Sequence, residues 1–240
     1  MSTTKEKTKN IENENTTEVA VAPAMPVGTV EVNTDSVSGE ICKSDLQIPS
    51  LKLVQQVGDL GELFTPGSFV LNNEHAVSDG KTVVVLTVAH WNKYYIENVE
   101  YGSDQMPDTA KTLKEVSEKG GTTEWSHETP PTWSPVGVAT CILQGEDESH
   151  FPFEYDDGVA QPTKHYAIAL WTMRNTAYRR AGRVIMTAAA YNLKMGLEYG
   201  SWELTSKRET LGKNKVFVPV VKTGGRNSEE FATWVRQLSR

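Results

Sequence analysis

The sequence predicts a β-rich α+β fold: a partly open OB-like barrel or a twisted antiparallel sheet, with two or three helices against it. Three observations lead there. Segments rich in β-branched and aromatic residues outnumber helical ones. The helical segments fall between strands without the regular alternation of a parallel sheet. The hydrophobic fraction, 38% of 240 residues, is low for a chain that is all core and surface, so part of it is expected to lie outside the fold.

That part is the beginning. Residues 1–44 are rich in Thr, Glu, Asn, Lys, Ser and Val without a sustained period, and they predict a disordered polar leader. One β-rich domain then spans 46–240. In "DLQIPSLKLVQQ", Pro49 breaks any helix and Leu51, Leu53 and Gln55 alternate as in a strand. A turn at Pro66-Gly67 leads into a short strand, Ser68 to Leu71. The stretch "KTVVVLTVAHWNKYYIENVEY" predicts the longest strand, central at its apolar start and emerging toward solvent near Trp91 and Tyr95.

"PDTAKTLKEVSEKGG" reads as a helix capped by Asp108, with Leu113 and Val116 on one side and Gly120-Gly121 at its end. "VGVATCILQG" and "HYAIALWTM" are strands, separated by the acidic, aromatic loop "GEDESHFPFEYDDG". In "NTAYRRAGRVIMTAAAYN" about 100° per residue groups Arg179, Arg180 and Arg183 on one face. Ala181, Val184, Ile185 and Ala188 gather on the other. Asn175 or Thr176 is the expected cap, and Gly182 marks a close contact. Two strands follow around "LGKN", a hairpin turn. A last helix, "SEEFATWVRQL", is capped by Asn227 or Ser228, its acidic start and basic end matching the helix dipole.

The net charge of −7 hides an asymmetry. Residues 161–240 hold 14 Lys and Arg against 5 Asp and Glu, or +9, while residues 1–160 hold 10 against 26, or −16. Such a split fits a part that seeks a polyanion, or two parts that neutralise each other. Two cysteines, Cys42 and Cys141, without metal or redox spacing suggest a reducing compartment. No secretory or membrane-spanning segment is visible, so a soluble, cytoplasmic protein is expected, in the host cytoplasm if viral.

Catalytic motifs are missing: there is no GxxxxGK[ST], no GxGxxG after a strand and no GxSxG. "HETPPT" lacks the second histidine of a zinc helix, and the five histidines are scattered. Neither a cofactor nor a metal is expected, and an enzyme is the third choice.

The basic part, in contrast, interleaves cations with rings, as single-stranded nucleic acid requires: cations follow the phosphates and flat side chains stack on bases, at about 1–3 kcal/mol each. Arg179, Arg180 and Arg183 are the expected phosphate contacts. Lys207, Arg208, Lys213 and Lys215 would form a basic hairpin finger. Trp91, Lys93 and Tyr95 would add a stacking surface. Trp171, Tyr166 and Trp202 lie in apolar strands and are expected in the core. In the acidic loop, Phe151 and Phe153 are either anchors for a partner or, the favoured reading, part of the core.

"IPSLKLVQQ" with "FTPGSFVLNN", the strand ending "HWNKYYIE" and the closing "YGSWELTSKRET…NKVFVPVV" resemble bacteriophage-encoded proteins, some of them single-stranded-DNA-binding proteins with an OB-type barrel. The resemblance covers about 46–225. It implies a stoichiometric accessory protein of DNA replication or recombination, with replication or recombination proteins, or further copies of itself, as partners. Such binders commonly end in an acidic recruiting tail, whereas this chain ends in "EEFATWVRQLSR". Recruitment would then fall to another segment, such as 146–157. The alternative is a virion structural or assembly protein, whose acidic and basic faces drive association without nucleic acid.

Overall fold

The computed structural model describes residues 47–240 apart from 101, 103, 128, 157–163, 192–195, 213 and 240. The leader and Lys213 lie outside the described residues. A small antiparallel sheet comes first: β1 (Leu51–Leu53), β2 (Phe69–Leu71) and β3 (His75–Ala76), with a short helix α1 (Asp59–Leu63) between the first two strands. The large sheet holds β4 (Val84–Glu97), β5 (Thr109–Ala110), β6 (Trp133–Gly145), β7 (Phe153–Tyr155), β8 (Lys164–Arg174), β9 (Gly200–Leu211) and β10 (Asn214–Arg226). Its order is β10-β9-β4-β6-β8-β7, with β5 beside β4, and its named pairings are antiparallel. The remaining helices are α2 (Leu113–Glu118), α3 (Asn175–Ala177), a π-helical turn (Tyr178–Gly182), α4 (Arg183–Tyr191), a 3₁₀ turn (Leu197–Tyr199) and α5 (Glu229–Leu238). The fold is the twisted antiparallel sheet of an α+β protein, and no barrel closes among the described residues.

The start of β4 is apolar on both faces because it is paired on both sides, Val84–Thr87 with β9 and Leu86 onward with β6. Residues directly opposite one another share a face, so the register defines two layers. On one face lie Leu86, Leu143 and Ala167, then Val88, Cys141 and Ala169, then Trp91, Ala139 and Trp171. The small sheet covers part of this face with Leu51, Phe69 and Leu71, and the helical segment covers it with Tyr178, Ala181, Ile185 and Ala188. Phe69 meets Trp171 edge to face at 6.4 Å. On the opposite face Ile142, Ile168 and Tyr166 receive α5 through Val235, Phe231 and Trp234. Fully burying a side chain such as Val235 contributes about 1.5–3 kcal/mol.

A bulge interrupts β4: Val88 opposes Cys141 and His90 opposes Thr140, so Ala89 is the extra residue. One extra residue reverses which side chains face the core. Val84, Leu86 and Val88 point inward before it, and Trp91, Lys93 and Tyr95 share that face after it.

The large sheet curls, and β1 occupies the gap between its β8 and β10 strands. Leu170 N–H donates to the Pro49 carbonyl on one side. On the other, the Gln55 amide donates to the Phe217 carbonyl at 2.9 Å and accepts from the Phe217 N–H at 3.0 Å.

Several local expectations change. α2 is capped by Thr112, whose hydroxyl accepts from the Glu115 N–H; Asp108 instead accepts from Thr109 N–H and Lys119 Nζ, because Thr109–Ala110 pairs with β4 rather than joining the helix. Leu113 is exposed in so short a helix, while Val116 is buried. Neither Asn175 nor Thr176 caps the arginine helix; Asn175 takes φ 47° as the chain turns sharply out of β8. Val184 is exposed, since only a narrow stripe of Ala181, Ile185 and Ala188 meets the sheet. Ser228 caps α5 as expected, accepting from the Phe231 N–H. Tyr166, Trp171, Trp202 and Phe151 are all buried, and Phe153 packs against the α5 cluster.

Candidate nucleic-acid interface

The arginine helix leaves the end of β8 and lays its π-helical turn against the sheet through Tyr178, Ala181 and Gly182. This burial turns Arg179, Arg180 and Arg183 to solvent. Two glycines set the depth at which the turn rests. A Cβ on Gly182 would lie 3.1 Å from Trp91 Cη2, and one on Gly137 would lie 2.5 Å from Trp91 Cζ2 and 3.2 Å from Tyr178 Cδ2. The Trp91 ring is thus held between β6 and the helix, and its indole nitrogen is buried without a hydrogen-bond partner.

Arg180 reaches across to β9, where its Nη2 lies 3.0 Å from Glu209 Oε2; Lys207 Nζ lies 2.6 Å from the other oxygen of the same carboxylate. The Lys207 hydrogen bond, then the Arg180 hydrogen bond and the two cationic charges, hold the Glu209 carboxyl below its ordinary pKa. Arg179 contacts Thr176 Oγ1 at 3.5 Å. Among the described residues, neither Arg179 nor Arg183 pairs with a carboxylate. Two cations therefore share one carboxylate, while Arg179 and Arg183 are exposed beside them and, among the described residues, without an acidic partner.

An open groove of about 590 Å³ borders this cluster. Its walls come from β1, β8, the end of β9 and β10, with Leu53, Leu211, Val216 and Phe217 as apolar surface and Lys52 and Arg174 as cations. Val216 lies opposite Glu209 in the hairpin register, and Arg174 immediately precedes the arginine helix, so groove and cluster adjoin.

Not every expected site residue belongs here. The hairpin splits its charges. Lys207 pairs with Val218 and Arg208 with Phe217, so adjacent Lys207 and Arg208 face opposite sides. Arg208 donates to Gln56 Oε1 at 2.9 Å beneath the small sheet's loop. Lys215 is exposed and, opposite Thr210, shares the Arg208 side. Of the expected stacking surface, Lys93 is exposed, Trp91 half-buried and Tyr95 buried. Tyr95 is 6% exposed, packed with Ala110, Val116 and Trp133, and Trp91 is wedged as described. Lys93 Nζ sits 5.0 Å over the Tyr95 ring and 5.9 Å over that of Tyr178. Burial alone would lower the Lys93 pKa; its hydrogen bonds with the two tyrosines and their charges outweigh this and raise it.

Sequence reasoning missed Lys52, which reaches the groove because β1 seats between β8 and β10. It also missed a group able to hold a metal ion: His75, Asp147 and His150 offer ligand atoms that all lie within 4.8 Å of one another. No spacing rule joins residues so far apart in the chain. No helix among the described residues is long and apolar enough to cross a membrane. Neither a protein-family model, nor a curated protein, nor a solved structure matches the chain.

Proposed function

We propose that the chain binds single-stranded DNA as a stoichiometric accessory protein of phage-type replication or recombination. Arg179, Arg180, Arg183 and Lys207 would hold phosphates beside the groove between β1, β8 and β10. The observation that carries this reading is the exposed arginine cluster, in which Arg179 and Arg183 pair with no carboxylate among the described residues, in the part of the chain that holds +9. Guanidiniums pair with phosphate oxygens through two parallel hydrogen bonds, and each neutralised phosphate releases counterions. The groove's apolar walls supply contact for bases, in place of stacking on Trp91 or Tyr95. Phosphate contacts position a strand without reading it, so weak sequence preference is expected.

Fluorescence anisotropy with labelled single-stranded and duplex DNA over a salt series tests the reading. Replacing Arg179, Arg180 and Arg183 together by alanine should weaken binding and reduce the salt slope by roughly 2, at ~0.7 per phosphate contact. An unchanged slope, or no binding of the wild type at low salt, refutes it.

The burial of Tyr95 and the wedging of Trp91 favour a second reading, a virion structural or assembly protein in which the same arginines meet a partner's carboxylates. It predicts salt-sensitive association without nucleic acid.

A further inference from the structure

We infer that His75, Asp147 and His150 form a binding site for a divalent transition-metal ion, with Zn²⁺ as the reference ligand. His75 comes from the small sheet. A three-residue turn after Leu71, with Asn72 and Asn73 at φ 51° and 62°, sets β3 opposite β2 and presents the imidazole at the hairpin end. Asparagine accepts this left-handed backbone better than most residues. Asp147 and His150 come from the loop between β6 and β7. That loop is tied at both ends of its turn: His150 N–H and Phe151 N–H donate to the Asp147 carbonyl, and Ser149 N–H and hydroxyl donate to Asp147 Oδ1. Phe151 is buried beneath it, against Gly145, where a Cβ would lie 2.4 Å from the ring. The loop is therefore held before any ligand arrives.

The two imidazoles stack, with ring centroids 3.9 Å apart and planes 18° from parallel. The Phe151 ring meets the His75 ring edge-on at 5.9 Å. His150 Nδ1 lies 2.5 Å from Asp147 Oδ2, and Ser149 Oγ lies 2.9 Å from the same nitrogen. The ligand atoms of the three side chains already lie within 4.8 Å of one another, and a turn of the stacked rings would bring their in-plane lone pairs onto one ion.

Two imidazole nitrogens and one carboxylate oxygen suit Zn²⁺ and other borderline ions better than the hard ions Mg²⁺ or Ca²⁺, which prefer oxygen. Three protein ligands leave a coordination position for water, and Ser149 stands beside the carboxylate as its hydrogen-bonding support. The bound ion would replace the proton between His150 and Asp147. It would also join the small sheet to the β6–β7 loop of the large one. This site is independent of the arginine cluster, so either assignment can fail without the other.

The test is isothermal titration of the full chain with ZnCl₂ in a non-coordinating buffer, repeated with Co²⁺ read by visible absorption. The wild type is expected to bind one ion at this site, with proton release and a Co²⁺ spectrum lacking a thiolate charge-transfer band. His75→Ala should weaken that binding by more than about tenfold. Asp147→Asn, an exposed change that keeps a hydrogen-bonding side chain and the loop's anchor, should also weaken it and serves if His75→Ala does not fold. Zn²⁺ should raise the melting temperature of the wild type and not of the variants. Absence of binding, equal binding by wild type and Asp147→Asn, or a thiolate band as the sole Co²⁺ signature would overturn the assignment.

Discussion

Replacing Gly137 by alanine probes the wedge that half-buries Trp91. Gly137 lies in β6, which is hydrogen-bonded to β4 and β8 on its two sides, so its backbone cannot retreat. The new Cβ would stand 2.5 Å from Trp91 Cζ2 and 2.6 Å from Cη2. The ring has little room to rise, because even a Cβ on Gly182 of the π-helical turn would lie 3.1 Å from Cη2. Overpacking of this kind costs about 1–3 kcal/mol. In a unit of this size each kcal/mol lowers the melting temperature by about 2–4 °C, so a fall of about 2–12 °C is expected. Trp91→Phe removes the outer ring that the Cβ would strike. In that background Gly137→Ala should cost less, giving a favourable coupling of at least ~0.5 kcal/mol. Urea denaturation of the four chains measures this, with constant m-values as the check on two-state comparison. Additive costs would refute the wedge. A loss of DNA affinity in Trp91→Phe, with stability unchanged, would return Trp91 to the binding surface.

Further expectations concern charge and reactivity. Glu209→Gln removes the one carboxylate that Arg180 and Lys207 share, so single-stranded DNA should bind more tightly with a steeper salt slope; weaker binding would count against the cluster as the phosphate site. Asp79 accepts from the Thr82 and Lys81 N–H groups and from the Thr82 hydroxyl, which hold its carboxyl down at about 2 instead of 3.8. A depressed carboxyl stabilises the fold above its unfolded pKa, and that contribution is lost as pH falls through 3.8 toward 2. Asp79→Asn should therefore flatten the fall in urea midpoint between pH 4 and 2, and an identical fall would exclude Asp79 as a source. Burial pushes the Cys141 thiol up to about 12, so in a Cys42→Ser chain Cys141 should react with a thiol reagent only on unfolding; labelling at the native rate of a free thiol would contradict its burial.

Much of the fold could be read from local pattern. The β-branched run after Gly80 became the central strand. β9 and β10 pair antiparallel as the hairpin signal required, and Ser228 caps the last helix. The arginine face was legible because helical geometry alone separates Arg179, Arg180 and Arg183 from Ala181, Ile185 and Ala188. The helix at 107–121 was overextended, since pairing of Thr109–Ala110 with β4 is a long-range event that local propensity does not report. The facing of Trp91, Lys93 and Tyr95 has a related cause. Alternation counted from Val84 sends Trp91, Lys93 and Tyr95 outward, and the bulge at Ala89 brings them back in.

The sequence by itself thus determined which segments extend, which coil into helices, and which helix face carries the arginines. These depend on periods of two or about 3.6 residues and on caps that act within a turn. Tertiary structure alone decided the placement of β1 in the gap beside β8 and β10, the inward turn of Trp91 and Tyr95, and the meeting of His75 with Asp147 and His150. Each of these rests on contacts between residues distant in the chain, whose free energy appears only once the two sheets have packed.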